Sequence, residues 1–431
     1  MFAALFSSDI SATLYTIMAK KEKLSVEPYK GVRDFYPPEY ATLSYIFNTW
    51  RAAVEKAGYV EYEASILEPS ELYKAKGAEN EEMVNEQTYT FVDRGGRETT
   101  LRPEMTPTVA RMVAAKRREL GFPLRYYSIP NVFRYERPQR GRLREHWQLN
   151  VDLFGSHSPY ADSEIIGVAQ AIMRAFGATE KDFCLKVGSR TFINSLIADV
   201  NLSEENGKAL LALLDRRAKI PAEEFDDKLR ELGIAKEKLS GDAPKDIATM
   251  IKEFSDEGLN NIVWDPSIVR GFAYYTGMVF EVFDMHPDNN RALFGGGRYD
   301  NLTAMFDDEP ITGVGFGMGD VTMRDFLEVR GLVPAYVPPT QLYIAVTAPE
   351  LAAQAQTLAG ELRKQGVNVA IDFGDKKLGD QIKTASKHGI PYSLVVGDNE
   401  LSSGKFVVRN LASGEETKLD KANLANFFLQ K

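Results

Sequence analysis

Between Arg144 and Phe154 the chain alternates with period two: Arg144, His146, Gln148, Asn150 and Asp152 are polar, and Trp147, Leu149, Val151 and Leu153 are apolar. Alternate side chains of a strand point to opposite faces, so this run is a strand with one apolar and one polar face. The preceding run, Tyr126 to Glu136, is extended as well and sets Val132, Arg134 and Glu136 on one face. Arg137 to Arg142 lies between the two runs and contains Pro138 and Gly141, so the whole reads as an antiparallel hairpin. Thr88 to Val92 and Thr99 to Arg102, bracketing Asp93 to Arg97, form a second hairpin signal.

Elsewhere the period is helical. Leu43, Ile46, Phe47, Trp50 and Val54 share one helix face, closed by Gly58. Val109, Met112, Val113 and Lys116 mark another, with Thr106 expected as N-cap and Pro107 as first helical residue. Residues 157–176 read as a helix ending at Gly177. Residues 190–263 keep helical spacing with breaks at Pro221 and Gly241 to Pro244, which suggests an inserted helical subdomain. Beyond the linker at Val337 to Pro339, strands at 342–346, 367–371 and 392–396 alternate with helices at 349–365 and 378–387, the pattern of a small parallel α/β domain. The expected organisation is an extension over 1–27, a core over 28–335 carrying the insertion, and a C-terminal domain over 340–431. The fold class is α+β: an antiparallel sheet flanked by helices, followed by an α/β domain.

Composition narrows the picture. The chain has 431 residues, 44% of them hydrophobic and 26% charged, which is ordinary for a globular protein of two or three domains. One cysteine, Cys184, excludes an internal disulfide, and with four histidines in all a Cys/His zinc cage is not expected. A reduced, cytoplasmic setting fits best. No uncharged run reaches the roughly 18 residues of a membrane helix. Residues 1–17 contain no basic residue and include Asp9, which argues against a signal or transit peptide, and Met18 is a second plausible start. The net charge of −9 is borne by the region before the C-terminal domain, so Arg137, Arg140, Arg142 and Arg144 form a local basic cluster on an acidic body. That pattern suits a focused contact with nucleic acid and not general affinity for it.

For an arbitrary hairpin, the plain reading of these residues is a polar face meeting water and a solvated turn. The residue types favour another. A guanidinium at Arg134, a carboxylate at Glu136, and amide, imidazole and carboxylate groups beyond the loop suit a nucleotide held together with a small zwitterion. Phe133 to Glu136, the loop, and Arg144 to Gly155 resemble motif 2 of class II aminoacyl-tRNA synthetases, and within that class the histidyl-tRNA synthetases. The resemblance runs from residue 28 to residue 430. It takes in Pro28 to Glu39, then Gly58 to Glu68 at the place of motif 1, where Ser65 stands in place of proline. Thr100 to Thr108, Val269 to Glu281 and Phe294 to Asp300 follow in family order. Ala273 departs from the aspartate often found there. Gly313 to Gly319 has Met318 where a dinucleotide fingerprint needs glycine. It resembles motif 3, a glycine-rich strand running into a helix, with Thr322 at the place of the motif's arginine, so that either Arg324 substitutes or the nucleotide is held without that contact. Lys377 to Lys383 and Leu394 to Gly397 resemble the anticodon-binding domain.

The resemblance implies activation of histidine by ATP, then transfer to the 3′ end of tRNA(His), with no side-chain nucleophile and with Mg²⁺ on the phosphates. It implies Arg134 and Arg270 on the α-phosphate, and Glu136, Arg142 and His146 also at ATP. Glu104, Met105, Thr106, Gln148, Asp152, Tyr274, Tyr275 and Tyr299 are implied at histidine, and Arg137, Gln139 and Arg140 at tRNA. It further implies a homodimer built through motif 1 and an inserted subdomain near the acceptor stem. The rival reading is a non-catalytic paralogue such as the regulatory subunit of ATP phosphoribosyltransferase. The C-terminal domain and the retained Arg134 and Arg270 count against that rival.

Overall fold

The computed structural model describes residues 24–75, 86–217, 220–271, 274–289, 291–306, 309–373 and 376–430. Most of the expected N-terminal extension, and Ala273, lie outside the described residues. The chain divides into two compact units, one ending at Pro334 and one beginning at Ala335.

In the first unit, helix α1 (Pro37–Lys56) buries the predicted stripe of Leu43, Ile46, Trp50 and Val54 and is followed by Gly58 in the left-handed region. Strands β1 (Val60–Glu61), β2 (Leu67–Pro69), β3 (Tyr89–Val92) and β4 (Glu98–Leu101) follow. The last three form a small antiparallel sheet in the order β2-β4-β3, which contains the second predicted hairpin. Helix α2 (Thr106–Lys116) begins one residue earlier than expected: Met105 holds the cap position and no side chain caps the helix. Pro107 still falls in the first turn, where its missing N–H costs nothing.

Strands β5 (Leu124–Ser128) and β6 (Asn131–Phe133) both pair antiparallel with β7 (Glu145–Phe154). The predicted hairpin is therefore present, but its first arm is broken at Pro130. Proline has no N–H to give the ladder, and its carbonyl instead accepts from the Gln148 N–H at 3.0 Å. After helix α3 (Pro159–Ala175) come β8 (Phe183–Ser189) and the helices α4 (Arg190–Asp199), α5 (Glu204–Asp215), α6 (Ala222–Glu231) and α7 (Lys245–Asp256). Strands β9 (Ile262–Trp264), β10 (Met278–Asp284), β11 (Ala292–Arg298) and β12 (Gly313–Gly319) and helix α8 (Asp320–Val329) complete the unit. The large sheet has the order β1-β5-β7-β12-β11-β10-β8-β9 with β6 beside β7, and it is antiparallel except at β1/β5 and β8/β9. No described helix is long and apolar enough to cross a membrane.

The two faces of this sheet differ. Leu149, Val151 and Leu153 of β7, Val314, Phe316 and Met318 of β12, and Phe280 and Val282 of β10 form one core with α1, α3, α7 and α8. Phe154 and Val279 face the other way, toward Val109 and Val113 of α2 and Tyr275 and Tyr299. The polar positions of β7 lie on that second face. Asn150 and Asp152 are buried there, so the polar face is covered by protein and does not meet water. The helical run after β8 is shared between two cores: Ile193, Leu210, Leu213, Phe225 and Leu229 of α4 to α6 form a cluster of their own, whereas Ile247 and Met250 of α7 join the main core.

The second unit has strands β13 (Leu342–Val346), β14 (Val369–Ile371), β15 (Tyr392–Val396), β16 (Lys405–Asn410) and β17 (Glu416–Asp420) in the order β14-β13-β15-β16-β17. The expected parallel α/β alternation holds for β14, β13 and β15, with helices Ala352–Lys364 and Leu378–Lys387 between them. The sheet is mixed, however, because β16 and β17 add an antiparallel hairpin that the periodicity does not announce. Leu342, Ile344, Leu394, Phe406, Leu424 and Phe428 hold its core.

Candidate active site

On the second face of the large sheet lies a cavity of about 290 Å³. Its floor is backbone, because Gly315, Gly317 and Gly319 occupy the positions of β12 that face it, opposite Asp152, Asn150 and Gln148 of β7. A Cβ on Gly315 would stand 2.6 Å from Asp152 Oδ1, and one on Gly317 would stand 2.2 Å from Gln148 Nε2. The glycine-rich strand is thus required by close approach on the cavity side, while the alternate residues Val314, Phe316 and Met318 anchor it in the core.

Two clusters of side chains line the cavity. At one end, Glu104, Thr106, Tyr274, Tyr275 and Tyr299 converge. Tyr274 donates to Glu104 Oε2 at 3.4 Å and packs against Tyr275 and Tyr299 with ring centroids 4.8 and 5.9 Å away. Burial raises all three phenols above their ordinary range, so they are neutral hydrogen-bonding groups. At the other end, Gly141, Arg142 and Leu143 of the arginine loop meet Ala292 and Leu293 of β11 and Val321 and Thr322 of α8. That end is an apolar slot with a charged rim.

Arg134, Glu136, His146, Gln148 and Arg270 also line the cavity. Arg134 spends its Nε–H on the Pro103 carbonyl at 2.9 Å. Arg270, in the left-handed region at φ 59°, pairs with Glu281 at 2.8 Å, and its buried Nε has no partner. Burial works against its charge, but the neighbouring Tyr275 and Glu281 leave the guanidinium pKa above its ordinary value. Burial, then the charges of Arg134 and Arg33, pull the His146 imidazole down to about 3, so it is neutral and can bond but cannot act as a cation. Three guanidinium groups, those of Arg134, Arg142 and Arg270, thus line one cavity, an arrangement that suits a polyanion whose charge grows during reaction.

Asp152 sits beneath the floor. It is on the same face as Gln148 but does not line the cavity, because Tyr299 covers it and donates a short hydrogen bond to its Oδ1. Its Oδ2 is buried with no hydrogen-bond partner, and burial pushes the carboxyl up to about 7 against the Tyr299 bond, which lowers it. Met105 is likewise wholly buried and does not reach the cavity. Of the residues singled out from sequence, Glu104, Thr106, Arg134, Glu136, Arg142, His146, Gln148, Arg270, Tyr274, Tyr275 and Tyr299 do line it. Leu143, Ala292, Leu293 and Val321 line it without having been singled out. Apolar residues flanking a motif carry no signal that separates slot from core.

The loop is a tight turn closed by reciprocal backbone bonds between Gln139 and Arg142, with Gly141 at φ 77°. Arg137, Gln139, Arg140 and Arg142 are exposed. Arg144 is not part of that basic surface: it is buried, stacks on Tyr135 with its guanidinium carbon 4.0 Å from the ring centroid, and donates to the Tyr29 hydroxyl. Its N–H also bonds the Gly31 carbonyl at 2.7 Å. Arg33, two residues further along that strap, pairs at 2.7 Å with buried Asp320, whose other oxygen accepts from the Trp147 N–H. The segment before α1 therefore braces both the loop and the start of α8. Arg324 does not stand in for a cation at Thr322: it bonds Glu328 at 2.6 Å on its own helix and is absent from the cavity lining.

Among the described residues no group of three or more His, Cys, Asp or Glu could hold a metal ion. The profile of the histidyl-tRNA synthetase family matches residues 31–240 and 219–319, and that of an anticodon-binding domain matches residues 341–431. The chain is 39% identical to a histidine–tRNA ligase of Leptospira biflexa, with 91% of this chain and 95% of the relative covered. It is 34% identical to a histidine–tRNA ligase of Thermoplasma volcanium, with 94% and 98% covered. Its fold is similar to the crystal structure of histidyl-tRNA synthetase from Nostoc, with a TM-score of 0.78 at 24% identity over 95% of this chain and 100% of that one.

Proposed function

The chain belongs to the histidyl-tRNA synthetase family, and we infer from the cavity it builds that it activates L-histidine with ATP to histidyl-adenylate and passes the histidyl group to the 3′ end of tRNA(His). The observation that carries this reading is that Arg134 and Arg270 line one cavity together with a tyrosine cluster and an apolar slot. The slot takes adenine, the tyrosine end takes histidine, and the two guanidinium groups meet the α-phosphate where they join.

The carboxylate of histidine attacks the α-phosphorus and pyrophosphate leaves. No side chain forms a bond in this step, so the protein contributes position and charge. Glu104 holds the ammonium group, with Thr106 beside it. Gln148 and the phenols of Tyr274, Tyr275 and Tyr299 hold the rest of the amino acid. Asp152 takes the imidazole N–H, and its Oδ2, buried without a partner, supports that role. ATP enters as its magnesium complex. Mg²⁺ is held mainly by phosphates and water, with one or two carboxylates sufficient, and Glu136 is the cavity carboxylate suited to it. We place the reaction in the cytoplasm on the strength of the single free Cys184. A homodimer through the region of Gly58 to Glu68 rests on the family resemblance.

The exposed tip of the arginine loop supports a division of labour in which Arg137, Gln139 and Arg140 meet tRNA. Purified protein is expected to charge tRNA in a reaction that needs both ATP and histidine. Gln139→Ala slows that charging and leaves histidine-dependent pyrophosphate exchange at the wild-type rate. Equal loss of both rates contradicts the assignment of the loop.

A further inference from the structure

The slot at the nucleotide end is poor in cations for a ligand carrying a triphosphate. Its walls are Gly141, Leu143, Ala292, Leu293, Val321 and Thr322, and the one guanidinium among its neighbours in the lining, Arg142, already faces Glu136 at 3.3 Å. Thr322 spends its hydroxyl on the Leu293 carbonyl at 2.8 Å. Yet a guanidinium stands at the rim. Arg291 immediately precedes the lining residue Ala292, and its Nη1 donates to the Arg140 carbonyl at 2.7 Å. A Cβ on Gly141 would stand 2.3 Å from that Nη1 and 3.7 Å from the Thr322 methyl. Arg291 and Thr322 therefore both lie against the open side of Gly141, which brings the guanidinium close to the position from which a side chain longer than threonine would bring charge.

Resting on the assignment of the slot to the nucleotide, we propose that Arg291 is the cation that binds ATP at this end and clamps the arginine loop over it. One N–H is used by the Arg140 carbonyl, and a guanidinium has five, which leaves a fork of donors for phosphate oxygens or a flat face for the purine. The positive φ of Gly141 and its lack of a side chain let the loop backbone approach that closely. Burial raises the Asp325 carboxyl of α8 above its ordinary range, and the charges of Arg140 and Arg291 act against that rise, so the corner holds two arginines around one carboxylate before any ligand arrives.

The test is steady-state pyrophosphate exchange with ATP and histidine titrated separately. Arg291→Gln keeps an amide donor for the Arg140 carbonyl and removes the charge. Arg291→Ala removes both. Both variants are expected to raise the KM for ATP about tenfold, the effect of one charge-assisted hydrogen bond, while the KM for histidine stays within about twofold of wild type. Adding Thr322→Arg to Arg291→Ala is expected to recover most of the ATP dependence, and Arg324→Ala alone to change nothing. Thermal melting of each variant shows whether it is folded. Wild-type ATP dependence in Arg291→Gln overturns the proposal, and so does a rise in the histidine KM equal to that for ATP. Wild-type protein without histidine-dependent exchange refutes the functional reading itself, an outcome distinct from either.

Discussion

Arg270→Ala lowers histidine-dependent pyrophosphate exchange by about a hundredfold or more while the protein remains folded. The expectation follows from where the charge sits. The guanidinium is half-buried, pairs with Glu281 and lines the same cavity as Arg134, so on the proposed reading it faces the region where the α-phosphate gains negative charge as pyrophosphate departs. A preorganised cation of this kind costs no reorganisation during reaction, and deleting one such contact raises a barrier by ~3 kcal/mol, which is on the order of a hundredfold in rate. The loss is expected mainly in kcat, since the interaction strengthens in the transition state. Two features keep the fold out of the result: alanine tolerates the left-handed backbone at this residue no worse than arginine does, and Glu281 is partly exposed and can be hydrated once its partner is gone. Rapid-quench measurement of adenylate formation checks the prediction. An adenylation rate within a few-fold of wild type would show that Arg270 serves Glu281 of β10, and not the phosphate.

Asp152→Asn separates histidine recognition from stability, because the two are expected to move in opposite directions. The variant raises the KM for histidine by about a hundredfold and that for ATP by far less, the upper range for a hydrogen bond to a charged acceptor. Stability shifts the other way. The Asp152 carboxyl has a folded-state pKa of about 7 against an ordinary 3.8, so the folded protein holds this proton more tightly than the unfolded chain does. Stability from this group is fully present below about pH 4, is lost as pH rises through 7, and stays lost above it. The buried charge then costs the ligand-free protein at most about 4 kcal/mol at pH 8. Asparagine cannot ionise and keeps an oxygen for the Tyr299 hydroxyl. Ligand-free Asp152→Asn should therefore melt higher than wild type at pH 8, with the difference shrinking as pH falls toward 5. A purely structural Asp152, bonded to Tyr299 and never meeting substrate, predicts an unchanged histidine KM.

The parts of this molecule that could be read from its sequence are those in which one period dominates. Leu149, Val151 and Leu153 alternate with polar residues and do form a two-faced strand, and the stripe from Leu43 to Val54 does form a buried helix face. What alternation could not tell is the depth of the polar face. Gln148 lines the cavity while Asp152, on the same strand face four residues on, lies under Tyr299, a residue distant in sequence that only the fold brings over it. Arg144 shows the same limit. Four arginines in one short run read as one basic patch, but a strap from Tyr29 to Arg33 and the ring of Tyr135 bury the last of them. In the second unit the hairpin of β16 and β17 went unread because its second strand, Glu416 to Asp420, carries charge at every other position, as a sheet edge does. Arg291 lies outside every motif and gains meaning only from its distance to Gly141.

The central claim, that this cavity activates histidine in particular, is tested most directly by ATP–pyrophosphate exchange of the wild-type protein with each of the twenty amino acids in turn. Exchange that depends on histidine, with the other amino acids at background, is the predicted result. Absence of histidine-dependent exchange, or comparable exchange with another amino acid, would contradict it.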